Sequence, residues 1–295
     1  VALFPREIDY TEWQTLRRYP ILNWNMGMTY RLRERDERVY PQGELARRTI
    51  GQVGDKGNYG VEYVLRDVLE GRDGKARRQR IARGFYGRVV GGDNSEPEDG
   101  LDVVTTLDLE MQDVADRALR RQLEAQNALW GTALVMEVAT GDLLAMANLS
   151  RTKSGAYAEV KNHALSSRME PGSTFKLAAL LALVDDAGMS LDETFDTGNG
   201  ARVKVGRTTV QDSHGLPPLN LKDAVAHSSN VFFARAVYET YKDDPERYVD
   251  YLRHLHLDRT VGLEEFGAVA PIFPAPGMKI WYPDVSIVNM GYGYA

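Results

Sequence analysis

From Ser173 to Asp186 the chain is apolar on almost every side, and its longest unbroken apolar run, Leu177 to Val184, lies within that stretch. A helix without a polar face cannot rest on a surface, so the pattern predicts a helix enclosed by other elements. Eight residues fall far short of the roughly 20 needed to cross a bilayer, which assigns the run to a core. The rest of the chain must wrap it, and 295 residues suffice for about two domains of roughly 100–200 residues each.

The wrapping elements are readable nearby. Asp108 is an N-cap candidate, and Met111, Val114, Ala115, Ala118, Leu119 and Leu123 recur at steps of three and four, predicting an amphipathic helix buried along that stripe. Thr132–Val138 and Leu143–Ala147 flank Ala139-Thr140-Gly141-Asp142, a strand, turn, strand pattern in which glycine can take a positive φ. Two apolar-rich segments, Leu221–Ala226 and Val231–Tyr238, read as helices on either side of Ser228-Ser229-Asn230. The first 98 residues are punctuated by glycine and favour short strands and turns around modest helices.

Charge divides the chain at the polar stretch Asp93–Gly100: residues 1–98 carry a net +3 and the remainder −9. A boundary there gives domains 1–98 and 99–295. An overall charge of −6 argues against a dedicated nucleic-acid binder, and the arginine-rich stretch Arg72–Arg88 reads as a solvated hairpin. With no Cys, disulfides, thiolate metal sites and cysteine nucleophiles are excluded. His254 and His256 lack a third ligand in pattern, so no metal or cofactor is expected.

Chemistry concentrates where the apolar helix begins, at Glu170-Pro171-Gly172-Ser173-Thr174-Phe175-Lys176. Lys176 lies three residues after Ser173 and projects from the same side of the helix, and a desolvated lysine can serve as the base for a hydroxyl nucleophile. A second Ser-x-x-Lys, Ser150 to Lys153, has no apolar helix behind it and reads as coincidence. Ser228, Ser229 and Asn230 are small polar residues wedged between buried segments. They form either a capped interhelical turn or, paired with Ser173, a functional group in which Ser228 relays a proton and Asn230 holds a substrate amide. His214 and His227 lie near that triplet in sequence, with a structural role favoured over lining a cleft.

Glu170–Lys176 and Ser228–Asn230, in this order and about 55 residues apart, resemble the first two motifs of penicillin-binding proteins and serine β-lactamases. Arg38-Val39-Tyr40-Pro41-Gln42-Gly43, Arg47–Gly51, Gly60–Tyr63, Asp102–Asp108 with Gln112, Thr140–Met146 and Gly291-Tyr292-Gly293 resemble class B penicillin-binding proteins in particular, from about Arg31 onward. The resemblance implies an α+β fold, an antiparallel sheet between helical layers, preceded by a non-catalytic pedestal.

It also implies a D,D-transpeptidase cross-linking peptidoglycan stem peptides through an acyl-enzyme on Ser173. Lys176 and Ser228 would handle protons, and Asn230 would bind substrate. β-Lactams would act as covalent inhibitors, and a glycosyltransferase and division-complex membrane proteins as partners. The catalytic part would face the periplasm or cell exterior, on a chain anchored in the cytoplasmic membrane. The third family motif, Lys-Thr/Ser-Gly after Asn230, is absent; Lys153-Ser154-Gly155 precedes the nucleophile. The expectation is that this strand lies downstream of Ala295 and that the piece alone is catalytically incomplete. A β-lactamase or carboxypeptidase, and a non-catalytic scaffold of the wall-synthesis complex, remain the alternatives.

Overall fold

The protein is described by a computed structural model covering residues 6, 8, 10–20, 22, 39–54, 57–75, 78–82, 85–88, 95, 98–260 and 262–294. It divides into two compact units, Val1–Gly43 and Glu44–Ala295. The first holds helix α1 (Tyr10–Leu16). Arg38 lies outside the described residues, as do Asp93, Asn94, Glu96 and Pro97.

The second unit begins with short helices, α2 (Arg47–Ile50), α3 (Gly60–Val64) and α4 (Arg66–Leu69). Strands β1 (Arg78–Ala82) and β2 (Phe85–Arg88) then pair as an antiparallel hairpin across the arginine-rich stretch. Helix α5 (Leu109–Ala125) starts at Asp108, whose carboxylate accepts the Met111 N–H at 2.8 Å. Strands β3 (Trp130–Met136) and β4 (Leu143–Arg151) form the expected hairpin, with Gly141 at φ +80° in the turn, and β5 (Tyr157–Ala158) adds to β4. Helix α5 packs on β3 and β4, closely enough that a Cβ on Gly131 would meet Leu123 at 2.9 Å.

The buried face of α5 differs from the expected stripe. Gln112, Ala115 and Leu123 are buried, whereas Met111 and Val114 are exposed. Gln112 takes the inner position because its amide accepts the Met146 N–H at 2.7 Å and donates to the Met146 carbonyl at 3.3 Å. Binary patterning excludes such a residue, but a doubly bonded amide has no desolvation debt left to avoid.

After α6 (His163–Ser166) comes the segment expected to be enclosed. It is a 3-10 turn (Gly172–Phe175), helix α7 (Lys176–Leu181) and a π turn (Ala182–Asp186). Lys176, Ala179, Ala182 and Leu183 are buried, but Leu177, Leu181 and Val184 are exposed, so one face is covered and the other open. The short pairs β6 (Thr194–Phe195) with β9 (Leu219–Asn220) and β7 (Val203–Val205) with β8 (Thr208–Val210) follow. Helices α8 (Leu221–Ala226), α9 (Asn230–Tyr241), α10 (Pro245–His254) and α11 (Ser286–Tyr292) complete the unit. The enclosed helix is α9: Val231, Phe232, Phe233, Ala234, Ala236, Val237 and Tyr241 are all buried. Each such large side chain contributes roughly 1.5–3 kcal/mol of burial, which makes α9 a rigid spine for whatever sits at its start. The fold is α+β, with antiparallel sheets flanked by helices.

Glu159, just after β5, ties α2 to β4. Its carboxylate accepts the Arg48 N–H at 2.8 Å and the Asn148 N–H at 3.4 Å. Burial pushes its pKa up to about 7, with the neighbouring Asp116 adding to the rise; the two backbone N–H groups and the Arg48 charge oppose it. A folded pKa above the ordinary carboxyl value means stability that is complete below pH 4.5 and lost as pH rises through about 7. Replacing Glu159 with Gln therefore gains stability relative to wild type between pH 5 and pH 8, by roughly 2–3 kcal/mol. Urea unfolding of both proteins across that range measures the difference, and a constant offset would contradict it.

Candidate active site

The turn carrying Ser173 is held at both ends. Gly172 adopts φ +58°, and its N–H donates to the carbonyl of Gly293, the residue that terminates α11. Thr174 Oγ1 donates to the Pro171 carbonyl at 2.7 Å. Ser173 is solvent-exposed at this tight turn, while Lys176, one turn on, is only 5% exposed.

The second group is built by the junction of α8 and α9. Ser228 sits at φ +52°, a conformation that costs a non-glycine residue of order 1–3 kcal/mol and accumulates at functional sites. Ser229 is the N-cap of α9, its Oγ accepting the Phe232 N–H at 3.0 Å. Asn230 is the first residue of the spine helix. The capped turn expected from the sequence is therefore present, with Ser228 and Asn230 on either side of its cap.

Lys176 joins the two groups. Its Nζ lies 3.1 Å from Ser173 Oγ, 3.1 Å from Ser228 Oγ, 2.6 Å from the Ser228 carbonyl and 2.7 Å from Asn230 Oδ1. Two of these four partners, the carbonyl and Oδ1, can only accept. A neutral amine has two N–H bonds for those two acceptors and one lone pair that can take the proton of Ser173, with Ser228 Oγ beside it as the fourth partner. Burial lowers the Lys176 pKa to about 8, against the pull of the Asp212 carboxylate. The arrangement can take a proton from Ser173 as its oxygen attacks a carbonyl, and Ser228 can pass that proton onward.

The other candidates stay outside this network. Ser150 Oγ pairs with His163 Nε2 at 2.8 Å and not with Lys153, so the second Ser-x-x-Lys forms no couple. Lys153-Ser154-Gly155 occupies the exposed turn between β4 and β5. His214 and His227 are exposed, with ring centroids 6.4 Å apart, and neither bonds to Ser173, Lys176, Ser228 or Asn230 among the described residues. No group of three or more potential metal ligands occurs among the described residues. Sequence reasoning missed Asp212, and it gave Gly293 only as part of the resembling stretch Gly291-Tyr292-Gly293, without a role. The former lies 18 positions before Asn230 without a marking motif, and the latter's packing on Gly172 is a tertiary fact.

Residues 131–294 match the family described as the penicillin binding protein transpeptidase domain. The chain belongs to that family. It is a class B penicillin-binding protein domain related to division-type transpeptidases. It is 31% identical over 254 residues to penicillin-binding protein PbpB of Mycobacterium tuberculosis, covering 80% of this chain and 36% of PbpB. It is 30% identical over 226 residues to the protein named "Probable peptidoglycan D,D-transpeptidase PenA" of Neisseria meningitidis, covering 70% of this chain and 38% of PenA. Among solved structures, penicillin binding protein 3 from Mycobacterium tuberculosis, complexed with aztreonam, superposes with a TM-score of 0.69 at 26% identity, over 87% of this chain and 54% of that one. The chain thus spans well under half the length of the two relatives and about half of the solved chain.

Proposed function

We propose that this penicillin-binding protein chain is the part of a peptidoglycan D,D-transpeptidase that carries the acyl-enzyme serine. One observation supports the reading above the rest: a buried lysine amine bonded at once to Ser173, Ser228 and Asn230. Ser173 Oγ attacks the carbonyl between the last two D-alanines of a stem peptide while its proton moves to Lys176 Nζ. The tetrahedral intermediate collapses, the C–N bond breaks, and the departing D-alanine nitrogen receives that proton through Ser228. An amine of a neighbouring stem peptide then attacks the acyl-enzyme, releasing Ser173 and closing the cross-link. Asn230 orients the substrate amide. β-Lactams enter the same first step and leave Ser173 acylated.

The domain reading keeps residues 1–98 as a non-catalytic, partner-binding pedestal and 99–295 as transpeptidase, supported by the change in charge near residue 98. A glycosyltransferase and membrane proteins of the division complex are the proposed partners, and the periplasm or cell exterior the proposed location, on the strength of the family. Among the described residues no helix is long and apolar enough to cross a membrane.

The test is to incubate the full-length protein with a fluorescent penicillin, digest it and map the adduct. The expected result is one penicilloyl group on the peptide containing Ser173. An adduct elsewhere, or none, overturns the assignment, and rapid nitrocefin turnover moves the protein to the β-lactamases.

A further inference from the structure

Asp212 is only 6% exposed, two residues beyond β8, and its carboxylate bonds to the start of α9. A carboxylate so placed is costly unless several donors compensate it. Three do, and all belong to the start of α9. Oδ2 accepts the Ser229 hydroxyl at 2.8 Å, and Oδ1 accepts the backbone N–H groups of Asn230 at 2.5 Å and Val231 at 3.1 Å. The neighbouring Gln211 carbonyl accepts Asn230 Nδ2 at 3.3 Å. Asn230 is thus gripped at its backbone by Asp212 and at its amide nitrogen by Gln211, which leaves Oδ1 as the end that faces Lys176.

We propose that Asp212 is a positioning residue of this site: through Ser229 and Asn230 it fixes the turn that receives the Lys176 amine. The proposal rests on the reading of Ser173 and Lys176 given above. The groups around Nζ, namely Ser173, Ser228, Asn230 and the Phe233 ring at 6.0 Å, are neutral. The titratable neighbours in sequence, His214 and His227, are exposed. Asp212 is the charge identified as acting on Lys176, and it works against burial. A nearby anion in a low-dielectric surrounding favours the ammonium form. Asp212 therefore opposes the loss of basicity that burial imposes on Lys176, while its hydrogen bonds hold the acceptors in place.

The experiment follows the [ε-13C]lysine signal of Lys176 through a pH titration of the full-length protein, assigned with Lys176→Arg, in wild type and Asp212→Asn. The near-isosteric amide removes the charge and keeps the shape. The midpoint is expected to fall by about half a pH unit or more, and the plateau rate of acylation by fluorescent penicillin about tenfold. Ser229→Ala loosens the carboxylate without removing its charge; it is expected to slow acylation severalfold with the midpoint unmoved. A purely structural role would lower the melting temperature and leave the midpoint in place. An unshifted midpoint in folded Asp212→Asn, or unchanged acylation in both variants, overturns the proposal. If the midpoint shifts but wild type forms no adduct at Ser173, the coupling of Asp212 to Lys176 stands and the transpeptidase reading fails.

Discussion

Replacing Lys176 with alanine slows acylation of Ser173 by about 10²- to 10⁴-fold, the usual worth of a positioned general base. The reason lies in the count of donors and acceptors. At its folded pKa of about 8 the amine is accessible in its neutral form near physiological pH, and the lone pair then faces Ser173 Oγ at 3.1 Å. Without it the hydroxyl attacks with no acceptor for its proton. Since only the neutral amine is a base, wild-type acylation rises with pH up to about 8 and levels off above it. The alanine variant loses that limb. Ser173→Ala removes acylation altogether, and the double variant is no worse than Ser173→Ala, because the pair acts as a unit. Removing a buried amine that the fold keeps against its desolvation cost leaves the fold intact, and Lys176→Met, which retains most of the stem volume, controls for packing. Stopped-flow acylation and thermal melts of the variants decide it. Wild-type acylation in folded Lys176→Ala would exclude the lysine as base.

Local signals account for what is legible in the sequence. The hairpin around Gly141 and helix α5 with its Asp108 cap follow from turn chemistry and capping, which act over a few residues. The pairing of Ser173 with Lys176 is likewise local, one helical turn. Gln112 defeats patterning because its partners are backbone groups of β4, 34 residues away in sequence. The open face of α7 defeats it differently. Periodicity reports that Leu177, Leu181 and Val184 are apolar, but whether anything covers them is decided by other parts of the chain. Ser228 to Asn230 are suggestive as sequence, and the carboxylate that arranges them is invisible there because Asp212 reaches them only through tertiary structure.

Gly293→Ala is expected to destabilise the protein by roughly 3 kcal/mol or more and to suppress acylation with it, although residue 293 touches no substrate. Gly293 closes α11 at φ +96°, where a side chain is strained by about 1 kcal/mol or more. The larger cost is steric: a Cβ there would lie 1.8 Å from the Gly172 carbonyl oxygen and 2.5 Å from its carbonyl carbon. Both neighbours are backbone atoms of the residue before the nucleophile, and the Gly172 N–H already spends its hydrogen bond on the Gly293 carbonyl. Relief requires the Ser173 turn to move away from α11, which pulls Ser173 Oγ out of reach of Lys176 Nζ. Gly141 supplies the control. It has a comparable φ of +80° but nothing within 4 Å of its would-be Cβ, so Gly141→Ala pays only the conformational penalty, about 1 kcal/mol, and keeps full acylation. Urea unfolding and penicillin labelling of the two variants separate the effects. Equal losses in both would mean that backbone conformation alone matters, and that the contact between the end of α11 and the Ser173 turn does not hold the nucleophile.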